Sequence, residues 1–460
     1  MNKLISTIQN IWKIKELRDR ILFTFGVLFI YVASTHVVLP GVDPAALKAF
    51  LNKGSGADLL GLINQFTGGA FNKASVMALG IMPYISASIV IQLLGFAVPY
   101  FQRLQQHEGE SGRKKLNQIT RMLTVAITLV QGGAYLTYLR SIPGAIDAGL
   151  PIGLFWVCNI VILSAGTIFA MWLGERITDK GIGNGASMII MLGILISFPL
   201  SLIGEFQLRL SSGPFIFIFE IAGLFLVIML TVLLVQGVRK IPIQFAKRVV
   251  GRTGTTTGSP QAGTRDYIPL KVNAAGVMPI IFAQALMFLP ATVAQYFGQG
   301  TDMASSRIMQ QLLNPFSFTS SMIAFILVVV FTYIYTALIV NPQQYSEYLK
   351  RQNAFIPGVK PGKSTADFID AITSRITLPG AVFLGFITIL PAFVVMFGVA
   401  STFAAFFGGT SMLIIVGVIL DTLQQIDSHL LMRKYDGLVK SGKLQGRATG
   451  SGLPSLGAGY

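Results

Sequence analysis

Apolar residues in this chain gather in long uncharged runs, separated by short polar or basic stretches. Read with a window of about 19 residues, the runs predict helices near 21–39, 74–98, 122–138, 152–173, 186–203, 215–238, 274–294, 322–340, 378–399 and 407–424. Each approaches the ~20 residues that carry a helix across ~30 Å of hydrocarbon. A continuous helix also satisfies its own backbone where water is absent. The pattern therefore predicts an all-α membrane protein with ten spans. Ten spans divide into two sets of five, and because five is odd, two similar halves must enter from opposite faces. This permits an inverted repeat of residues 21–212 and 213–424 around a central pathway. Segments 1–20 and 425–460 lie outside it. No repeated motif in the chain establishes the repeat.

Within the second run, Met77 to Leu94 reads MALGIMPYISASIVIQLL, uncharged and with a proline inside it. At 100° per residue Ile81, Ile85, Ser88 and Gln92 share one side of a helix, joining aliphatic residues to an amide. A glutamine this deep wants a partner or water, so that face is expected to look inward. Ordinary packing with a proline kink accounts for the same pattern. Just before it, Leu59 to Phe71 is apolar but broken by Gly61, Asn64, Gln65, Gly68 and Gly69. It is too short to cross, which fits either a re-entrant segment or an amphipathic loop.

Composition and charge add orientation. The chain has 460 residues of which 12% are charged, against ~25% in soluble domains. The net charge is +16, and most of the 35 lysines and arginines fall in the termini and in the loops on their side. The positive-inside rule makes both termini cytoplasmic. The surplus thus speaks to topology more than to nucleic-acid binding. The basic N-terminus followed by an apolar run resembles a signal peptide, but the run is long and is read as the first span. The single cysteine, Cys158, lies in an apolar segment and is expected to be a buried small hydrophobe.

Two of the loops on the basic side are long. The first, Arg239 to Lys271, carries Arg239, Lys240, Lys247, Arg248 and Arg252 before a flexible Gly, Thr and Ser-rich patch, Thr253 to Thr264. The second, Asn341 to Thr377, carries Lys350, Arg351, Lys360, Lys363 and Arg375 around the turn PGVKPG at 357–362. Solvated flanks explain the charge, whereas the length points to docking of a cytoplasmic partner.

Chemistry is sparse in the spans. Glu220 and Asp421 are the carboxylates within them, near their ends. Ion-coupled transporters usually carry buried charged groups, so a secondary transporter of a small solute ranks behind a passive channel. His36, His107 and His429 are scattered, and no catalytic, nucleotide or metal motif is present. A membrane enzyme ranks third, with no cofactor implied.

Six stretches carry a family likeness: MALGIMPYISASIVIQLL, EGESGRKK at 108–115, MWLGERITDKGIGNGAS at 171–187, PLKVNAAGVMPIIFA at 269–283, AFIPGVKPGKST at 354–365 and FGGTSMLI at 407–414. With these in order along nearly the whole chain, it resembles the SecY family, the central subunit of the protein-conducting channel, and bacterial members in particular. The resemblance implies a constriction ring at Ile81, Ile85, Ile190, Ile281 and Ile414. It also implies a plug over 59–71, including Asn64, Gln65, Gly68 and Gly69, whose polar residues and glycines would let it leave its site. Ser86, Gln131 and Asn273 match the polar cluster of a lateral gate where signal sequences enter.

Such a channel lacks a motor. The resemblance implies the SecA ATPase or the ribosome docked on the two basic loops, SecE and SecG clamping the bundle, and nascent secretory or membrane proteins as cargo released across or into the cytoplasmic membrane. Three features depart from the family: Ala186 replaces a bulkier aliphatic, Lys360 replaces an arginine, and the 253–264 patch is longer.

Overall fold

The computed structural model describes residues 14–47, 64–106, 109–146, 151–245, 265–284 and 316–440, with positions 12, 149, 286, 287, 311 and 314. Its helices are α1 (Lys15–Ser34), α2 (Met82–Ala97), α3 (Pro99–Gln106), α4 (Gly109–Ser141), α5 (Ile152–Lys180), α6 (Gly185–Ser212) and α7 (Pro214–Gln236), then α8 (Phe318–Ile339), α9 (Pro342–Arg351), α10 (Lys363–Met396), α11 (Ser401–Ala404) and α12 (Gly409–Lys440). Strands β1 (Val238–Phe245) and β2 (Arg265–Lys271) follow α7, and β3 (Ala354–Phe355) follows α9. A further helical stretch runs over 278–284. Among the described residues seven helices are long and apolar enough to cross a membrane. The chain is an all-α multi-span membrane protein with a small sheet at its basic end.

Local chemistry sets where these helices start. Asn184 caps α6 by accepting from the Ala186 and Ser187 amides at 3.1 and 3.4 Å. Ser317 caps α8 through the Ser320 amide at 3.1 Å, and Asn341 caps α9 with Pro342 at its first position. Each satisfies amides that a helix start leaves free. Glycines set where α5 and α6 cross: a β-carbon on Gly185 would lie 1.8 Å from the Gly174 carbonyl oxygen.

The second predicted span differs from expectation. Residues 67–81 form successive turns, and α2 begins only at Met82. Gly80 has φ +53° and Ala74 φ +48°, conformations that a continuous helix excludes. Pro83 sits in the first turn of α2, where its missing N–H costs nothing, so it opens the helix instead of kinking it. Ile81 therefore precedes the helix, and the predicted face of Ile81, Ile85, Ser88 and Gln92 does not exist as drawn. Non-helical backbone at this depth is tolerated because protein surrounds it: Thr67, Ala70, Phe71, Ala74, Ser75, Met77 and Ala78 are all at most 5% exposed.

Cys158 is also exposed, contrary to expectation. It shares a stripe of α5 with Leu154, Val157 and Val161, all more than half exposed. In a membrane, apolar residues face lipid as readily as core, so an apolar run does not imply burial.

The two long basic loops meet. β1 pairs antiparallel with β2 from Val238↔Lys271 to Gln244↔Arg265, and with β3 at Gln244↔Phe355 and Phe245↔Ala354, in the order β2-β1-β3. Ile241, Ile243, Leu270, Leu349, Ile356 and Ile369 form a core of their own beneath the sheet. The predicted flexible patch 253–264 lies outside the described residues.

Candidate functional site

Four of the five isoleucines assigned to a ring come together. Ile85 on α2, Ile190 on α6, Ile281 in the 278–284 stretch and Ile414 on α12 line one cavity with Phe66, Ser86 and Gln284. All four are buried, from 1% exposed at Ile414 to 8% at Ile85 and Ile281. The cavity measures about 10 Å³, on the order of one water position. Its four isoleucine side chains make no hydrogen bonds, so they can close on any side chain and resist ions by dewetting, while Ser86, Gln284 and Thr410 add polar groups to the lining. Ile81 is not part of this lining. It is buried, and a β-carbon on Gly174 of α5 would sit 3.3 Å from its Cδ1.

One side of the cavity is closed by the segment that begins at Asn64. Asn64 Oδ1 accepts from the Asn72 amide at 2.9 Å, and its carbonyl accepts from the Gly69 amide at 2.9 Å. These bonds close a loop, which Tyr135 of α4 anchors by donating to the Phe71 carbonyl at 2.8 Å. Phe66 reaches the cavity from this loop. Gly68 (φ +66°) and Gly69 (φ +86°) hold its turns, and Gln65 is buried. A β-carbon on Gly193 of α6 would lie 2.4 Å from the Phe66 carbonyl oxygen. Gly68 and Gly193 thus allow this loop to pack closely on α6. Residues 59–63 lie outside the described chain.

The three polar residues assigned to a gate do not bond to one another. Ser86 Oγ donates to the Met82 carbonyl of its own helix at 3.1 Å, and Asn273 Nδ2 donates to the Gly276 carbonyl at 3.0 Å, leaving a buried Oδ1 without a partner among the described residues. Gln131 makes no hydrogen bond among the described residues. Gln92, by contrast, is fully engaged: Nε2 donates to Ser88 Oγ at 3.0 Å, and Oε1 accepts from the Tyr335 hydroxyl of α8.

The basic end presents Arg239 and Lys240 from β1 and Lys360 and Lys363 from the second loop, all exposed. Lys240 Nζ lies 4.8 Å from the Tyr267 ring centre across the hairpin. Thr365 Oγ1 donates to the Lys360 carbonyl at 2.9 Å and Ser346 Oγ to the Gly362 carbonyl at 2.7 Å, fixing the turn that carries the lysines. Lys247, Arg248 and Arg252 lie outside the described residues.

At the opposite end is a charged cluster that the hydropathy reading passed over, apart from Glu220. Arg209 Nε donates to Glu205 Oε1 at 2.9 Å, and its Nη2 donates to the Gly398 carbonyl at 2.8 Å. The same Nη2 lies 2.7 Å from Glu220 Oε1. Glu205 Oε2 accepts from the Ala400 amide at 3.0 Å. All three side chains are at most 12% exposed. The cluster ties α6 to α7 and to the turn before α11. Besides Glu220, the i, i+4 spacing of Glu205 and Arg209 was its visible sign in the sequence.

A SecY family profile matches residues 75–423. A protein translocase subunit SecY from Chlamydia muridarum is 38% identical over 96% of this chain and 100% of its own length. One from Aquifex aeolicus is 37% identical over 94% and 98%. Among solved structures, one described as a protein-conducting channel has a TM-score of 0.64 at 17% identity, covering 93% of this chain and 95% of that one. The Sec61 channel in a canine ribosome-channel complex has a TM-score of 0.60 at 16% identity, covering 93% and 95%. Those two likenesses speak to the fold, and the profile and the relatives speak to descent: the chain belongs to the SecY family.

Proposed function

We propose that this chain is the pore-forming subunit of a protein translocase, a passive gated channel that passes unfolded polypeptides across a membrane and releases apolar segments sideways into it. The observation that carries this reading is the convergence of Ile85, Ile190, Ile281 and Ile414, from four separate elements, on a void of about 10 Å³ capped by Phe66. An aliphatic constriction suits cargo of any sequence because it makes no directional bonds. The loop from Asn64 acts as the plug, and the seam between the second, third and seventh spans, where Ser86, Gln131 and Asn273 stand, is the lateral exit. The two five-span halves close around this path.

The basic sheet face is the docking site for an ATPase motor or a ribosome, and it lies in the cytoplasm of a cell whose cytoplasmic membrane holds the bundle. Arg239, Lys240, Lys360 and Lys363 stand on one folded unit, which supports a single footprint over two independent loops. SecA fits the ATPase role, and SecE and SecG fit as small subunits around the bundle. The chain supplies no catalytic chemistry in this scheme.

The test is cross-linking. With Cys158 replaced, cysteine at Ile190, Ile281 or Ile414 is expected to form a disulfide with a cysteine in a stalled secretory precursor. Absence of a link at all three positions removes the constriction from the path.

A further inference from the structure

Residues 398–425 run alongside α6 in the opposite direction, and contacts mark the pairing from end to end. At the basic end the Gly183 amide, just before α6, donates to Gln425 Oε1 at 2.8 Å. Midway, Ile190 and Ile414 line one void of about 10 Å³. Farther out, the Phe198 and Phe406 rings stand edge to face with centres 5.1 Å apart. At the far end Glu205 Oε2 accepts from the Ala400 amide at 3.0 Å, and Arg209 Nη2 donates to the Gly398 carbonyl at 2.8 Å. As the residue number rises along α6 it falls along the partner, from 183 with 425 to 209 with 398, so the two form one antiparallel seam. From Gly185 to Arg209 the helix covers about 36 Å at 1.5 Å per residue, more than the ~30 Å of hydrocarbon.

The middle of this seam is aliphatic and aromatic, and such side chains fix no register of their own, because they make no directional bonds and lipid suits them equally. Pro199 also stands in α6 between the ring and the far end. Its missing N–H removes a helix bond, and the outer third of α6 can bend there. The charged cluster lies beyond that point. The Arg209 and Glu205 side chains are 12% and 1% exposed, and apolar residues of the same volume commonly stabilise as well or better. What the charges add is direction. Arg209 Nε holds Glu205 Oε1 at 2.9 Å, so the pair presents one acceptor to Ala400 and one donor to Gly398. Fixing register is the best-attested use of buried ionic groups. A slip of one residue moves side chains about 1.5 Å along the axis, which offsets Ile190 from Ile414 across the void.

We propose that Glu205 and Arg209 are positioning residues of the constriction, setting the register of α6 against residues 398–425 and through it the facing of Ile190 and Ile414. The proposal rests on the reading of the void as the constriction of a channel. The ring isoleucines make no bonds to one another, so their fit depends on how their helices are held, and two of the four belong to this seam.

The test uses the assembled complex in proteoliposomes, at rest and without cargo. In a Cys158→Ser background, cysteines at positions 190 and 414 are expected to be bridged by a short bis-maleimide, and adding Arg209→Met is expected to lower the bridging rate several-fold. With both isoleucines in place, Arg209→Met is expected to raise the resting ion leak several-fold. The triple change Arg209→Met, Glu205→Gln, Glu220→Gln removes the orphaned charges, including that of Glu220, which faces the same guanidinium at 2.7 Å. It is expected to regain melting temperature while bridging stays slow and the leak stays high, because the bond to Gly398 is still missing. Bridging and seal that recover together with the melting temperature show a role in stability alone and overturn the proposal. Unchanged bridging in Arg209→Met, or no bridge in the otherwise unsubstituted protein, overturns it as well. If bridging responds as expected but cysteines at 190 and 414 never link to a stalled precursor, the channel reading falls and the register assignment is kept.

Discussion

Gly68 and Gly193 meet backbone to backbone: a β-carbon on Gly68 would lie 3.2 Å from the Gly193 Cα. The contact seats the loop that carries Phe66 against α6, and through Phe66 it closes one side of the isoleucine-lined void.

Enlarging either glycine is expected to lift that loop. Gly193→Val places methyl groups where the Phe66 carbonyl stands, and overpacking of this kind costs ~1–3 kcal/mol. Reconstituted vesicles holding this variant are expected to leak ions at rest, and a seal as tight as that of the unsubstituted protein would show that the loop does not close the path.

Polarity in the ring is expected to act without disturbing the fold. Ile190→Ser and Ile281→Ser together put two hydroxyls on a void of about 10 Å³, which gives water hydrogen-bond partners there. Resting conductance in planar bilayers is expected to rise several-fold, whereas Ile81→Ser, outside the lining, is expected to change it far less.

Arg209 holds two buried carboxylates. Arg209→Met leaves Glu205 and Glu220 without their cation, and breaking a buried pair from one side costs ~3–5 kcal/mol. The melting temperature in detergent is expected to fall markedly. The triple change Arg209→Met, Glu205→Gln, Glu220→Gln is expected to recover much of the loss, because the orphaned charges are gone.

On the basic sheet, charge reversal separates docking from sealing. Lys360→Glu with Lys363→Glu is expected to weaken binding of the motor or ribosome and to flatten its salt dependence. Resting ion conductance is expected to stay the same. Binding measured across a salt series checks the first, and the bilayer recording checks the second.

Some of this was legible in the chain because it is local. Span length and lack of charge predicted the apolar stretches of α4 through α8, α10 and α12, although α4, α5, α6, α10 and α12 run 7 to 16 residues past the predicted bounds at one end because helix continues into polar sequence. Asn184, Ser317 and Asn341 announce helix starts by the chemistry of their own side chains. Ile85, Ile190, Ile281 and Ile414, assigned through family likeness, line one cavity. Periodicity failed at Ile81 because a helical wheel assumes a continuous helix, and Gly80 and Pro83 interrupt one by turn geometry that hydropathy does not weigh.

The sequence by itself determined that the chain is a bundle of apolar helices with a basic end and a neutral middle, since these follow from length, composition and charge position alone. Only the tertiary structure decided what the remaining residues meet. Gly68 against Gly193, the union of two basic loops in one sheet, and the bond from Tyr335 to Gln92 all join positions far apart in the chain. In the membrane an apolar residue suits lipid and core equally, and a lone glutamine signals only that it needs a partner. Gln92 could be marked as unusual from its surroundings in sequence, but its partner Tyr335 depended on which helix the fold laid beside it.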